Sequence, residues 1–332
     1  MRASCRDDLI RELADGEIHS GSALAKKFGR SRTAVWKQLH QLEELGLDVE
    51  SLPGKGYRLQ NKMELLDAGR IEQLLDAKTS ASLASIEVHS VIPSTNDRLR
   101  AASPPTAGYL RAALAEYQTG GRGRRGRQWL SPFGSGVCLS VSWRYEVVPP
   151  SFPALGLAVG FGAQRALTQA GAGELQLKWP NDIIAGSGKL AGLLLDVEGE
   201  STGPLDVVVG IGVNIDVSPE LTSGVARTEG LPPVGMRQLV VGGKLSRNRI
   251  AAMLIAEFRK VLADFSEMGF SGFADDWRRH DYLFGRKIQV QSGGRMHCGV
   301  AAGIGPDGAL LVDAGGKLQS IMSGEVSVRE IP

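Results

Sequence analysis

Four arginines lie within six residues in the segment QTGGRGRRGRQW, residues 118–129. The guanidinium group is a planar, permanently charged fork that suits carboxylates and phosphates, and the glycines allow the backbone to approach a ligand closely. The segment has no apolar face, so we expect it to stay mobile until an anion binds. A solvated basic loop and a nucleic-acid-binding patch are alternative interpretations of the same composition.

Two common nucleotide-binding loops do not account for these residues. GRGRRG (121–126) matches the dinucleotide pattern G-x-G-x-x-G, but AEYQT (115–119) before it does not predict a clean strand, and WLSP (129–132) cannot begin a long helix. Lys189 follows a Gly-Ser-Gly turn, but Leu190 stands where a phosphate-binding Walker loop needs serine or threonine. We therefore expect a different kind of site.

A second polar group, KWPND (178–182), follows a predicted strand. A lysine at the mouth of a strand, such as Lys178 or Lys189, can act as a point charge on a transferring phosphate. Asp182 could hold magnesium or orient a lysine. The alternative for each of these residues is an ordinary surface ion pair.

Two shorter motifs have both a structural and a ligand-binding interpretation. GIGVN (210–214) ends a predicted buried strand, where the glycines allow either tight packing or the close approach of a flat ligand. Ser94, Thr95 and Asn96 can cap the helix that follows them or hydrogen-bond a ligand. The sequence leaves both interpretations open for each motif.

The composition is that of a soluble globular protein with two or three domains: 332 residues, 42% hydrophobic, 22% charged and a net charge of +2. Cysteines 5, 138 and 298 are too scattered for a disulfide framework, and the five histidines have no metal-ligand spacing. The N-terminus lacks the apolar stretch of a signal peptide, and three prolines break the longest uncharged run. We expect a cytoplasmic protein with no membrane partner.

The elements that must position these motifs begin with a winged helix-turn-helix in residues 1–62. Apolar residues recur at helical spacing in three short stretches, Gly29 separates the second helix from the third, and Ser31 can cap the third. Residues 47–52 and 56–59 predict two strands around the turn PGK (53–55). Between residues 19 and 60, seven Lys or Arg stand against four acids, which favours a DNA-binding unit over a solvated helical lid.

The candidate DNA contacts lie on the third helix and on the wing. Helix residues that face away from Val35 and Leu39 can enter the major groove, and basic wing residues can meet phosphates. These residues are Arg32, Thr33, Trp36 and Lys37 on the helix and Lys55 and Arg58 on the wing.

The rest of the chain mixes strands and helices, which predicts an α+β or α/β layer domain. Apolar patterns predict strands at 137–143, 175–179, 190–197 and 205–213 and helices at 153–169 and 246–268. The first of these strands alternates, so we expect it to be half-buried, with Cys138 in the core. Five short strands are predicted near the C-terminus, which favours a small β-barrel: 287–291, 297–302, 309–313, 318–321 and 326–329.

Taken in order, the motifs resemble those of the bifunctional biotin–protein ligases and biotin operon repressors of bacteria. The similarity rests on the winged helix with its stretch LPGKGY, on STN, GRGRRG followed by W-x-S-P, KWPND, KLAG and GIGVN, and on the terminal barrel. It implies an α+β multidomain fold with four parts: a winged helix-turn-helix (1–62), a linker (63–82), a central mixed-sheet α/β ligase domain resembling class II aminoacyl-tRNA synthetases (83–274) and a C-terminal SH3-like β-barrel (275–332).

The resemblance implies a two-step ligase. Members of the family join biotin to ATP with magnesium, giving biotinyl-5′-AMP, and transfer biotin to a lysine of biotin carboxyl carrier protein; both steps build charge on a phosphate, which fixed cations stabilise. By the resemblance, Lys189 and Arg124 are catalytic. Biotin is assigned to Ser94, Thr95, Asn96, Gln118, Arg122, Gly123, Arg124 and Lys189. ATP and the adenylate are assigned to Arg122, Arg124, Trp129, Lys178, Asn181, Asp182 and Asn214, and no metal ligands are assigned.

The resemblance also implies a transcriptional repressor. Biotinyl-5′-AMP would be a corepressor that orders the arginine loop (residues 121–126) and neighbouring loops, and a homodimer would then seat two winged helices on operator DNA. Dimerisation through a strand edge of the central domain would compete with docking of the carrier protein. Two alternatives remain: a regulator that senses a nucleotide or vitamin but transfers nothing, and a lipoate ligase with a similar core.

Overall fold

The computed structural model describes residues 5–200, 203–226, 231–240, 242–243, 245–292, 295–322 and 326–331. The chain contains an N-terminal winged helix, a central domain built on a mixed sheet, and a C-terminal antiparallel sheet, so the predicted α+β multidomain class is confirmed. Within these ranges, no helix is long and apolar enough to cross a lipid bilayer.

The winged helix consists of three helices and a two-stranded wing: α1 (Cys5–Leu13), α2 (Gly21–Lys27), α3 (Arg32–Glu43), β1 (Val49–Leu52) and β2 (Gly56–Leu59). Ser31 caps α3 as predicted, because its side chain accepts a hydrogen bond from the backbone N–H of Ala34. The first strand of the wing begins two residues later than predicted. Leu47 is buried among the helices of this unit and lies outside the ladder of β1 and β2.

Two short helices, α4 (Ala68–Gln73) and α5 (Ala77–Ser82), lead from the wing to the central sheet. Leu66 and Ile71 are buried and belong to the main hydrophobic core of the protein. The segment predicted as a linker is therefore packed into the core of the central domain, which restricts how the winged helix can move relative to it.

Seven strands form the central sheet in the order β3-β4-β5-β9-β8-β7-β6. They are β3 (Leu83–Ile92), β4 (Leu110–Gln118), β5 (Gly136–Tyr145), β6 (Gln176–Lys178), β7 (Asp182–Ala185), β8 (Gly188–Gly199) and β9 (Leu205–Asn214). Strands β3 and β4 pair in parallel, whereas the other neighbours pair antiparallel. The sheet is therefore mixed, as predicted.

The helices of the central domain are α6 (Thr95–Arg100), α7 (Leu155–Leu167), α8 (Pro219–Ala226), α9 (Met236–Leu239), α10 (Arg247–Met268) and α11 (Ala274–Arg279). Helix α10 agrees with the prediction, and Ser246 caps it by accepting from the backbone N–H of Arg249. Helix α7 is shorter than predicted because Pro153 lies in a preceding 3₁₀ turn. Apolar residues of α7 and α10 pack together in the main core.

Two predictions about strands β4 and β5 were wrong. The residues AEYQT end a strand after all, and the polar residue that obscured it, Glu116, is buried and pairs with Arg247 at 2.7 Å. Strand β5 was expected to be half-buried, but nearly all of its residues are buried, including Cys138, Ser140 and Ser142. The dinucleotide interpretation still fails, because the glycine-rich segment leads into β5 and not into a long helix.

The C-terminal sheet contains the five predicted strands in the order β13-β12-β11-β10-β14: β10 (Lys287–Ser292), β11 (Arg295–Ile304), β12 (Leu310–Asp313), β13 (Leu318–Ile321) and β14 (Val326–Glu330). It is attached to the edge of the central sheet beside KWPND. The indole N–H of Trp179 donates to the carbonyl of Gly308 (3.0 Å), and the backbone of Leu177 exchanges hydrogen bonds with His280 and Tyr282 (2.7 and 2.9 Å).

The junction contains a buried carboxyl group that should lower the stability of the protein at neutral pH. Burial raises the pKa of Asp281 from 3.8 to about 6, although the backbone N–H of Leu283 donates to it. From about pH 4 to pH 6 the folded protein therefore holds a proton that the unfolded chain releases, and the free energy of unfolding falls as the pH rises through this range.

The variant Asp281→Asn keeps the acceptor oxygen without the charge. At pH 7 it should raise the free energy of unfolding by about 1–3 kcal/mol relative to the wild type, and this gain should vanish near pH 4. Denaturant titrations at several pH values measure both effects. Asp275→Asn is the control, because the Asp275 side chain is 81% exposed. A gain that is the same at pH 4 and pH 7 would contradict the prediction.

Candidate active site

A cavity of about 750 Å³ lies between the ends of β4 and β9, the start of β8 and the arginine loop, a size suited to a small organic ligand. The structure brings together all the residues that the resemblance assigned to biotin or the nucleotide. They line this cavity: Ser94, Thr95, Asn96, Gln118, Arg122, Gly123, Arg124, Trp129, Lys178, Asn181, Asp182, Lys189 and Asn214.

Hydrogen bonds between side chains order the polar part of the cavity around the start of α6. The backbone N–H and the hydroxyl of Thr95 donate to Gln118 Oε1 (2.7 and 3.1 Å). The Ser140 hydroxyl lies 2.7 Å from Thr95 Oγ1 and 2.5 Å from Asn96 Oδ1. These polar groups therefore have partners and fixed orientations, which is a condition for selective recognition of a polar ligand.

Ser94 and Asn96, at the start of α6, have different structural roles. Ser94 caps the helix by accepting from the backbone N–H of Asp97 (3.3 Å), so the capping interpretation holds for it. Asn96 lies against Gly210, where an added Cβ would be 2.1 Å from Asn96 Oδ1. Glycine is required at position 210 because the amide of Asn96 occupies the space of a side chain.

Trp129 lies on the other glycine of GIGVN. A Cβ at Gly212 would be 2.2–2.6 Å from atoms of the indole ring, and one at Gly192 would be 3.4 Å from it. The ammonium of Lys189 is 5.6 Å from the ring centroid, within the range of a cation–π contact. The close approach expected at these glycines is thus made by protein side chains, Asn96 and Trp129.

Cationic groups gather in one part of the cavity lining, the cationic wall. Lys189 Nζ is 2.7 Å from Asp182 Oδ1, which corresponds to the lysine-orienting role considered for Asp182. Burial lowers the pKa of Lys178; Asp182 opposes the shift and Lys189 adds to it. Burial also lowers the pKa of the Arg124 guanidinium, which stays charged at neutral pH. This wall is suited to stabilise an anion that enters the cavity.

The arginine loop has a defined backbone. Arg122 and Gln128 form an antiparallel bridge, and the N–H of Gly123 donates to the carbonyl of Arg127 (2.7 Å). A Cβ at Gly121 would lie 2.6 Å from the carbonyl oxygen of Trp129, so a side chain is excluded there. The loop is therefore a small hairpin at the rim of the cavity, and the expected change in its order on ligand binding stays a prediction.

Comparisons with known proteins agree with this arrangement. Three family models match the chain: the Biotin/lipoate A/B protein ligase family over residues 88–214, an HTH domain over residues 6–58 and the Biotin protein ligase C terminal domain over residues 283–329. The bifunctional ligase/repressor BirA of Escherichia coli K12 is 37% identical over 325 residues, which cover 97% of this chain and 96% of that protein. The chain belongs to the bifunctional biotin ligase/repressor family.

Other members of the family and one solved structure are similar over long stretches. The bifunctional ligase/repressor BirA of Bacillus subtilis 168 is 28% identical over 331 residues, covering 99% of this chain and all of that protein. The structure of biotin protein ligase from Aquifex aeolicus in complex with biotin and ATP superposes with a TM-score of 0.60 at 24% identity, covering 75% of this chain and 99% of that one. The last comparison supports the fold alone.

Most of the residues that the sequence assigned to DNA are exposed in this ligase/repressor chain. Lys55 on the wing is exposed. The four side chains on α3 are exposed as well: Arg32, Thr33, Trp36 and Lys37. Arg58 differs, because its Nε donates to Glu50 Oε2 at 2.7 Å. Its charge is thus partly compensated, and Lys55 is the more accessible cation of the wing.

Sequence reasoning missed several residues of the site. Ser140 belongs to a strand whose alternation was attributed to half-burial, and its polar side chain faces α6 within the core. Tyr282, Arg329 and Glu330 also line the cavity, although they belong to the C-terminal part of the chain. No local signal could have found them, because the attachment of the C-terminal sheet to the central one brings them there.

The contact between Gly212 and Trp129 gives a direct test of the cavity. Gly212→Ala should displace the indole, because the new Cβ would overlap it, and the fluorescence emission should shift to longer wavelength as the ring becomes exposed. The shift should be absent when Gly212→Ala is made in a Trp129→Phe background. Gly156→Ala, whose Cβ would be 3.9 Å from Leu195, is the control. Unchanged emission of Gly212→Ala would contradict the packing described above.

Proposed function

We propose that this chain is an ATP-dependent biotin–protein ligase that also represses transcription of the biotin operon. The observation that carries the proposal is the convergence of Arg124, Lys178 and Lys189 on one cavity that also contains the ordered polar side chains of Thr95 and Asn96. Cations on one wall and neutral hydrogen-bonding groups on another are what a ligand with an anionic end and a polar, uncharged head requires.

In the first proposed step, the carboxylate of biotin attacks the α-phosphorus of ATP. A new oxygen–phosphorus bond forms, the bond to the β-phosphate oxygen breaks, and pyrophosphate leaves with biotinyl-5′-AMP as the product. Negative charge on the phosphate oxygens increases as the reaction proceeds. Arg124 and Lys189 are the groups placed to stabilise it, and the ion pair with Asp182 holds the Lys189 ammonium in position beforehand.

The second proposed step transfers biotin to a protein. A lysine amine of biotin carboxyl carrier protein attacks the acyl carbon of the adenylate, an amide bond forms, and AMP leaves with the electron pair of the broken bond. The amine loses its proton in the process. Activation as an adenylate makes this step feasible because AMP is a far better leaving group than the oxygen of a free carboxylate.

The remaining residues are assigned according to their place in the cavity. We assign the polar head of biotin to Ser94, Thr95, Asn96 and Gln118, which surround the start of α6. The acyl-phosphate lies near Gly123, Arg124 and Lys189. The nucleotide lies near Trp129, Lys178, Asn181, Asp182 and Asn214; the Asn181 and Asn214 amides donate to the carbonyls of Leu193 (2.7 Å) and Lys189 (3.2 Å).

Magnesium is proposed to come with the substrate. Within the part of the chain that the structure describes, no three or more His, Cys, Asp or Glu residues are placed to hold a metal ion. Asp182 is already paired with Lys189. The residues thus do not form a protein cage for the ion, and ATP phosphates are its natural ligands, as is common for nucleotide-bound magnesium.

For repression we propose a homodimer that forms through the free edge of β8 when biotinyl-5′-AMP is bound. Strand β8 pairs with β7 only through Gly192 but with β9 as far as Gly199, so one edge of its second half has no strand partner among the described residues. The dimer would present two α3 helices to operator DNA, and carrier protein would compete for the same edge. We propose the cytoplasm as the compartment in which the chain would meet operator DNA and carrier protein.

Lys189→Ala tests the ligase. It should slow pyrophosphate release from biotin and ATP by about 10²- to 10³-fold, because one preorganised cation is lost, while the unfolding temperature stays the same. Lys317→Ala, which changes an exposed lysine in the turn between β12 and β13, is the control. A wild-type rate would refute the catalytic role. The wild type should release pyrophosphate with biotin but not with lipoate, which distinguishes it from a lipoate ligase. It should then modify a lysine of the carrier protein, which a sensor that transfers nothing would not do.

Lys37→Ala tests the DNA-binding surface. If Lys37 meets a phosphate, the variant should bind biotin-operon DNA less tightly, and the slope of log K against log salt should decrease in magnitude by about 1. Lys27→Ala is the matched control, because Lys27 is paired with Glu12 within the winged helix. Equal slopes for Lys37→Ala and the wild type would contradict a phosphate contact of Lys37.

A further inference from the structure

Arg122 is held by two carboxylates from different elements. Its Nη2 is 2.6 Å from Asp97 Oδ1 on α6 and 3.0 Å from Asp196 Oδ2 on β8. Both contacts are charge-assisted hydrogen bonds, the stronger kind in proteins. Two negative charges therefore surround the one positive charge of this guanidinium at the base of the arginine loop.

Asp196 also connects the loop to the polar part of the cavity. The same oxygen that accepts from Arg122 accepts from the Asn96 amide (2.9 Å), and Asn96 Oδ1 in turn lies 2.5 Å from the Ser140 hydroxyl. One carboxylate thus orients both the loop and the amide. Asp97, in contrast, contacts the loop but has no hydrogen bond to that amide among those described.

We infer that Arg122 anchors the arginine loop and does not bind the anionic end of the ligand, and that Asp196 is a positioning residue for both the loop and Asn96. A carboxylate or phosphate at Arg122 would meet the two negative charges already there, and their repulsion opposes its binding. Arg124, two residues further along, is within electrostatic range of Asp182 at the cationic wall. Arg122 thus attaches the loop, whereas Arg124 is available to the ligand. The identity of that ligand rests on the proposed function.

The anchor is tested first on the protein without any ligand. Trypsin cleavage after Arg124, Arg125 and Arg127 measures how often the loop opens. Asp196→Asn and Arg122→Met should each raise the cleavage rate about 10-fold, and Asp196→Glu should restore much of the protection. The control is Asp206→Asn, which breaks a comparable, partly exposed pair with Arg144 away from the loop. Equal cleavage rates in Asp196→Asn, Arg122→Met and the wild type would overturn the inference.

The dissociation rate of biotinyl-5′-AMP distinguishes an Arg122 that anchors the loop from an Arg122 that binds the ligand, because the two roles predict changes of this rate in opposite directions. If Arg122 anchors the loop, Asp97→Asn and Asp196→Asn speed dissociation several-fold, and adding Arg122→Met to Asp196→Asn has little further effect. If Arg122 binds the ligand, the same two variants free its guanidinium and slow dissociation, which would overturn the inference.

Steady-state kinetics test the second contact of Asp196. Asp196→Asn should raise the KM for biotin more than Asp97→Asn does, with a smaller change in kcat, because Asp196 alone of the two holds Asn96. Equal effects of Asp196→Asn and Asp97→Asn on the KM for biotin would contradict the role of Asp196 in positioning Asn96. Absence of pyrophosphate release by the wild-type protein would defeat the proposed function and leave the protease result standing, so the two failures are distinguishable.

Discussion

Several cationic side chains line one cavity although they repel one another. Most of the site depends on how this repulsion is compensated. Arg124 and Lys178 are partly buried, which lowers the pKa of both, and Lys189 adds to the effect at Lys178. Asp182 compensates part of this charge at 2.7 Å from Lys189. Charges that are already in place and partly dehydrated need little reorganisation when a phosphate becomes more negative, which is how such a site lowers a barrier.

A buried ion pair between β4 and α10 holds the segment that follows the winged helix. Arg247 and Glu116 lie 2.7 Å apart with side chains 5% and 4% exposed, and Arg247 also donates to the carbonyls of Gly136 and Glu64. The N–H of Leu66 donates to Glu116. Removing one partner would leave a buried charge without compensation, so loss of either side chain should destabilise this junction. Glu116 is two residues from Gln118, which places the junction close to the cavity.

The errors of the sequence analysis have a common cause. Helix α10 could be predicted because its apolar residues repeat at helical spacing, and strand β9 because it is a short, nearly continuous apolar run. Strand β4 was missed because Glu116 breaks the apolar pattern, and β5 was taken as half-buried because Ser140 suggests an exposed face. Both polar side chains are buried against partners far away in the chain, Arg247 and Asn96. Periodicity reports burial only when polar residues face water.

The sequence by itself determined which chemical groups the protein has and the kind of element that carries each, because residue types, turn signals and short-range periodicity are local properties. Only through resemblance could it assign residues from separate motifs to biotin and the nucleotide, and it missed the cavity residues of the C-terminal part. The tertiary structure decided the pairings: Asp182 with Lys189, Arg122 with Asp97 and Asp196, and Arg329 beside the same cavity. These depend on strand order and on the attachment of one sheet to another, and spacing along the chain does not specify distances between residues so far apart.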